Sequence, residues 1–184
     1  MNPKKFLIIF LIILIPIISV LGSFRITLAQ IDGTGVKQDT LDFLQNRGGN
    51  ISEYTQVEQE HLVEVKQIIN GFFTFFSIAF FITVVFSIRL YSVDKKELAK
   101  VFLYGGLSTI GLVVLLFLLG LNFDWLFTIF HKILFKTQWQ FPSGSLLIKL
   151  FPEHFFIIIF GVILVIALII GMIFTGIGYW LKKK

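Results

Sequence analysis

The sequence predicts an all-α integral membrane protein: four transmembrane helices that carry a small extracellular cap of helices and loops, with further short helices along the interface. Three observations predict it. Four stretches of the 184-residue chain hold no Asp, Glu, Lys, Arg or His: 19 residues from Phe6 to Phe24, 21 from Ile68 to Ile88, 21 from Val101 to Leu121 and 27 from Phe155 to Leu181. At about 1.5 Å per helical residue, each is long enough to cross a hydrocarbon slab about 30 Å thick. The chain is 56% hydrophobic and only 15% charged, so the residues outside these stretches cannot screen them from water and a soluble globular domain is excluded. The third observation is where the positive charge lies. The two termini and the connection 89–100 carry nine Lys or Arg in 20 residues, whereas the two longer connections carry seven in 76. Basic residues flanking spans stay on the cytoplasmic side, which puts both termini inside and the long connections outside.

Taken in order, residues 1–24 form a basic N-terminus and the first span. Lys4 and Lys5 ahead of an apolar run also fit a signal peptide, with Thr27-Leu28-Ala29 as a weak cleavage site. The run is longer than such a peptide needs, and Pro16 is tolerable in a membrane helix, so a retained anchor is the expected form. The extracellular connection 25–67 has seven acids against four bases and is punctuated by Gly33, Gly35, Gly48 and Gly49. Two short helices are expected in it, one around Asp39 to Gln45 and one from near Ser52. Thr55-x-x-Glu58 has the spacing of a capping box there, and this second helix is expected to continue into the span 68–88. The cytoplasmic loop 89–100 and the span 101–121 follow.

The extracellular connection 122–154 differs in kind, being rich in Trp and Phe. Read as a helix, Asp124, Thr128 and His131 form a polar stripe beside an apolar one of Phe123, Phe127, Phe130 and Leu134, as on a helix lying along the interface. Pro142 to Ser145 make a turn, and Leu146 to Leu150 form a short amphipathic piece ended by Pro152. The last span and the cytoplasmic C-terminus occupy 155–184.

Composition narrows the function. The absence of cysteine excludes thiol catalysis, disulfides and zinc–thiolate sites. The net charge of +5 is not gathered into a basic stripe interleaved with stacking aromatics, so nucleic acid is not an expected partner. No acid, base or broken-helix pair interrupts the spans in the manner of a transporter. All three histidines, His61, His131 and His154, fall in the outer connections. His61, flanked by Glu58, Glu60 and Glu64, reads either as a solvated juxtamembrane residue or as a base that a neighbouring carboxylate orients. His131 reads either as a headgroup-facing residue or as a functional ring in an aromatic segment, where a polar group needs a partner. His154 reads as an interfacial anchor. With no i, i+4 histidine pair and no tight carboxylate cluster, no metal is expected.

Glu60-His61 with Val65-Lys66, then Phe130-His131, Phe135, Trp139 and Pro142, then Leu147-Ile148, Phe151-Pro152-Glu153 and Phe155-Phe156 resemble the lipoprotein intramolecular transacylase family of Gram-positive bacteria. The resemblance implies an enzyme of the bacterial cell membrane acting at the outer leaflet on diacylglyceryl lipoproteins. It would move the sn-2 acyl chain onto the α-amino group of the N-terminal cysteine and give the lyso-form lipoprotein. His61 and His131 match the family's paired catalytic histidines. Glu60 or Glu64 is then expected to orient His61, and Trp139 and Phe135 to wall the substrate's acyl chain. Ester-to-amide conversion is downhill and both groups sit on one lipidated residue, so no cofactor is expected. The competing class is a noncatalytic four-span interaction or assembly protein.

Overall fold

A computed structural model describes residues 3–183. Seven helices and no strand occur among them: α1 (Pro3–Ala29), α2 (Val36–Leu44), α3 (Gln56–Val93), α4 (Lys95–Gly120), α5 (Phe123–Leu134), α6 (Leu146–Leu150) and α7 (Glu153–Lys183). The helices α1, α3, α4 and α7 are each long and apolar enough to cross a membrane. The chain is therefore a multi-pass membrane protein, with α2, α5, α6 and the long connections gathered at one end of the four-helix bundle.

Helices and apolar stretches do not end together. The segment 89–100, expected as a loop, is helical except at Asp94, which ends α3 and caps α4 by accepting from the Glu97 amide at 3.2 Å. Charge in a sequence marks where lipid ends, whereas a helix runs on until its backbone is capped. Lys4 pairs with Asp94 and ties the start of α1 to this corner. At its other end α3 begins well before its apolar stretch. Thr55 accepts from the Glu58 amide while the Glu58 carboxylate accepts from the Thr55 amide, a complete capping box. At 38 residues, α3 is roughly 57 Å long, nearly twice the hydrocarbon thickness, and its first three turns stand clear of the apolar stretch.

Close approach of backbones holds α4 against α7. A Cβ on Gly106 would lie 2.6 Å from the Gly171 carbonyl oxygen, and one on Gly178 would fall inside the Leu103 backbone. In lipid, helices gain little from hydrophobicity and associate through such small-residue contacts. The helix α1 packs its Leu11 and Ile15 with Leu98 and Val101. Its buried hydroxyls are satisfied within the helix, Ser19 donating to the Ile15 carbonyl, Ser23 to that of Ser19 and Thr27 to that of Ser23.

The cap has its own core of Leu28, Leu41, Leu44, Tyr54, Leu62, Ile69, Leu147 and Phe151. The helix α2 is locked into it by the buried Thr40 and Tyr54 hydroxyls, 2.7 Å apart. Gly49 closes the turn after α2 with φ +89°, and a Cβ there would strike the Asp39 carbonyl, so only glycine fits.

The glycine contacts give a test. Gly178→Ala is expected to cost about 1–3 kcal/mol through overpacking, read as a lower melting temperature in detergent. Gly161→Ala, on a face with nothing within 4 Å, is expected to leave it unchanged.

Candidate active site

The first turns of α3 place Glu58, His61 and Glu64 at three-residue spacing, along one side of a helix. Both carboxylates reach away from α3, Glu64 to the connection between α5 and α6 and Glu58 to the first turn of α6. One Glu64 oxygen accepts from the Lys136 amide at 2.8 Å, and the other from the amide and hydroxyl of Thr137. One Glu58 oxygen accepts from the Leu147 amide at 3.0 Å, while the other holds the Thr55 amide and hydroxyl. The strap 135–147 is thus pinned at both ends, and its middle closes over His61.

The consequence is an aromatic chamber. The His61 ring lies 4.8 Å from Phe135 and 5.4 Å from Phe141, centre to centre. His131, near the end of α5, is surrounded by Phe127 at 3.9 Å, Phe135 at 4.9 Å and Trp139 at 5.1 Å. The two imidazoles are nearly parallel, 6.3 Å apart, with Phe135 against both. Only 6% of His61 and 8% of His131 is exposed, so water is largely excluded.

The rings differ in their hydrogen bonding. Nδ1 of His131 lies 2.8 Å from the Phe127 carbonyl oxygen, one turn back on α5. A carbonyl only accepts, so Nδ1 carries the proton and the neutral ring presents Nε2 as a lone pair. Nδ1 of His61 is buried and has no partner. A buried polar atom without a partner is costly, and a substrate group that supplied one would recover that cost.

Electrostatics follow from the burial. Burial pushes the His61 imidazole down to about 4, helped by the neighbouring His131 and opposed by Glu64. Burial also lowers His131, against the pull of the Phe127 carbonyl. Both rings are therefore neutral at neutral pH. For Glu58 and Glu64 burial acts upward but loses to hydrogen bonds: those to Leu147, Thr55 and Ser145 hold Glu58 below the ordinary carboxylate range, and those to Thr137 and Lys136 do so for Glu64. Each carboxylate stays ionised, as a clamp must.

Of the residues expected at the site, His61, His131, Phe135 and Trp139 come together. Glu64 reaches the chamber's edge, where it is occupied with the strap instead of hydrogen-bonded to His61. Glu60, adjacent to His61 in sequence, turns to the exposed side of α3 and accepts from Gln56. His154 stands exposed at the start of α7, outside the pair. Among the described residues no group of three His, Cys, Asp or Glu could hold a metal ion. Sequence reasoning did not single out Phe127 as a wall of the site or Glu58 as a clamp. The regular 58/61/64 spacing was the available signal for Glu58.

A profile of the family described as lipoprotein intramolecular transacylase Lit matches residues 6–156. The solved structure of the membrane integral lipoprotein intramolecular transacylase Lit from Bacillus cereus superposes with a TM-score of 0.85 at 20% identity, covering 97% of this chain and 95% of that one. A structure of the same protein carrying a histidine-to-arginine substitution superposes with a TM-score of 0.76 at 19% identity, over 97% and 92% of the two chains. The fold is therefore shared. No sequence among curated proteins matches the chain.

Two outcomes test the chamber. In 15N spectra of histidine-labelled protein, His61 is expected to remain neutral at pH 6, where an unperturbed imidazole with a pKa of about 6.5 is mostly protonated, and His131 is expected to titrate below that ordinary value; a protonated His61 at pH 6 contradicts the burial. Glu64→Gln gives up a charge-assisted contact, so amide exchange at Lys136 and Thr137 is expected to quicken by about tenfold or more.

Proposed function

The chain belongs to the lipoprotein intramolecular transacylase family and is a membrane enzyme acting on lipoproteins; from that premise we propose its reaction, its site and its orientation. The enzyme moves the sn-2 acyl chain of a diacylglyceryl lipoprotein onto the α-amino group of the N-terminal cysteine. The product is the lyso-form lipoprotein. His61 and His131 are the catalytic pair, one moving the proton and the other holding the oxyanion, and the supporting observation is their burial as a neutral pair in one aromatic chamber.

The chemistry sets three demands. The amine must lose a proton as it attacks the ester carbonyl, the oxyanion so formed must be held, and the glycerol oxygen must gain a proton as it leaves. His131 Nε2, fixed as a lone pair by the Nδ1 bond to Phe127, takes the proton as the C–N bond forms. It returns the proton to the glycerol oxygen as the C–O bond breaks, so the ring ends neutral and no proton is consumed. His61, neutral and short of a partner, donates its N–H to the oxyanion. Amine and ester sit on the same residue, so the enzyme contributes orientation, a term that in intramolecular reactions reaches roughly 7–11 kcal/mol.

Exclusion of water decides the product. An acyl group poised for attack can be lost to hydrolysis, and the rings of Phe135, Phe141 and Trp139 form the barrier against that side reaction. The same rings suit an acyl chain as a neighbour.

The topology follows the positive charge: both termini lie in the cytoplasm, the bilayer of a bacterial cell encloses the four apolar stretches, and the chamber opens at the outer leaflet. His61 lies seven residues before Ile68, roughly 10 Å above the apolar stretch, at a height suited to a lipoprotein anchored by its acyl chains.

Single substitutions test the assignment. His61→Ala and His131→Ala are each expected to lower the rate of lyso-form production by about 100-fold or more, the size of a lost proton-transfer or oxyanion contact, with melting temperature retained. Full activity in either variant removes that residue from the mechanism. The pH profile supplies a second check. Both imidazoles are already neutral, so the acid limb of kcat/KM is set by the substrate amine, with a pKa of about 7.7–8.0. No further inflection is expected near 6.5.

A further inference from the structure

One cavity of the molecule lies away from the histidines. It is a groove of about 640 Å³ between α1, α2 and α3, lined among others by Arg25, Gln45, Asn46, Asn70, Thr74 and Ser77. Asn70 is nine residues from His61 on α3, two and a half helical turns, so the groove faces away from the chamber. The side chains of Arg25, Thr74 and Ser77 are exposed, which leaves the groove open on its lipid side.

Arg25 is the unusual member. The helices α1 and α3 run antiparallel, with Lys4 paired to Asp94 and Gly22 facing the Phe76 ring. In this register the Arg25 guanidinium stacks 5.3 Å from the centre of Phe73 and 5.9 Å from that of Phe76, and reaches the Ser77 hydroxyl at 3.5 Å. It therefore lies level with residues five to nine positions inside the apolar stretch of α3 that begins at Ile68. That level is roughly 7–13 Å below the top of the α3 stretch, while on α1 Arg25 directly follows the apolar stretch that ends at Phe24. A cation at such a depth is expensive without a counter-charge. No acidic residue lines the groove, and among the described residues no carboxylate pairs with Arg25.

A second donor points the same way. The side-chain amide nitrogen of Gln45, in the groove wall, is buried without an acceptor. Asn46 donates to Asn70 at 2.7 Å, which orients the polar rim. Donors surplus to internal acceptors, beside an unpaired guanidinium and next to lipid, form a site for an anionic oxygen group.

We infer that the Arg25 groove binds the phosphodiester headgroup of a membrane phospholipid, on the face of α3 opposite the histidine chamber. The phosphate accepts from the Arg25 guanidinium and the Gln45 amide, and the acyl chains run down the exposed face of α3 past Ile78. The site holds a structural lipid beside the cap and does not depend on the reaction assigned above.

Native mass spectrometry of the purified, delipidated protein tests this, with phosphatidylglycerol and dioleoylglycerol titrated in parallel. Retention of phosphatidylglycerol over the phosphate-free lipid is expected. Arg25→Gln should weaken that retention about tenfold, the loss of one charge-assisted contact, and Gln45→Leu should weaken it less, both with unchanged helical content. A competition arm with millimolar inorganic phosphate separates sources: displacement by phosphate alone would make this a free-anion site and overturn the lipid assignment. Equal retention of the two lipids, retention unaffected by Arg25→Gln, or displacement of phosphatidylglycerol by a diacylglyceryl lipopeptide would also overturn it.

Discussion

Two carboxylates hold the candidate site together. Glu58 and Glu64 stand one turn either side of His61 and grip the strap 135–147 at opposite ends, through the amides of Lys136 and Thr137 and that of Leu147. Everything else about the chamber depends on this grip: the rings of Phe135 and Phe141 cover His61 because the strap carrying them cannot lift. A hydrogen bond to a charged group contributes about 1.5–3 kcal/mol when made and leaves a costly orphan when broken. Glu58 is also the N3 residue of the α3 capping box, so the cap of the helix and the closure of the site share one side chain. The rigid element beneath is α3 itself, which leaves the bilayer without a break and carries His61 upward as part of a packed helix.

The chamber trades charge for reactivity. Aromatic walls lower the basicity of both imidazoles, which makes them weaker bases than free histidine, yet they keep both rings neutral and therefore available as lone pair and donor at neutral pH. For the proposed transfer to an amine the dry environment matters more than base strength, since water is the competing nucleophile. The low dielectric also strengthens any hydrogen bond to a developing oxyanion.

The four spans, the capping box at Thr55, the helix α5 and the break at Pro152 were legible in the sequence, because each is a local pattern of apolar length, periodicity or turn chemistry. The pairing of the histidines came from a family resemblance. The clamp was not legible, because it joins Glu64 to residues 72 and 73 positions away and Glu58 to one 89 away, and no periodicity records such partners. Glu60 was singled out beside Glu64 for its nearness in sequence, but neighbours on a helix point about 100° apart, and only positions three or four apart share a face. The connection 89–100 shows the converse: its charges interrupt the apolar pattern and read as a loop, while capping by Asp94 lets helix continue almost throughout.

The central claim, transfer of a chain within one lipidated residue, is tested most directly by the product's mass and the position of its chains. Purified protein would be reconstituted with a synthetic diacylglyceryl lipopeptide and the product fragmented to locate each acyl group. An unchanged total mass with one chain moved from glycerol to the N-terminal nitrogen is the predicted result. Loss of a chain to water, or an untouched substrate in the presence of folded protein, would contradict it.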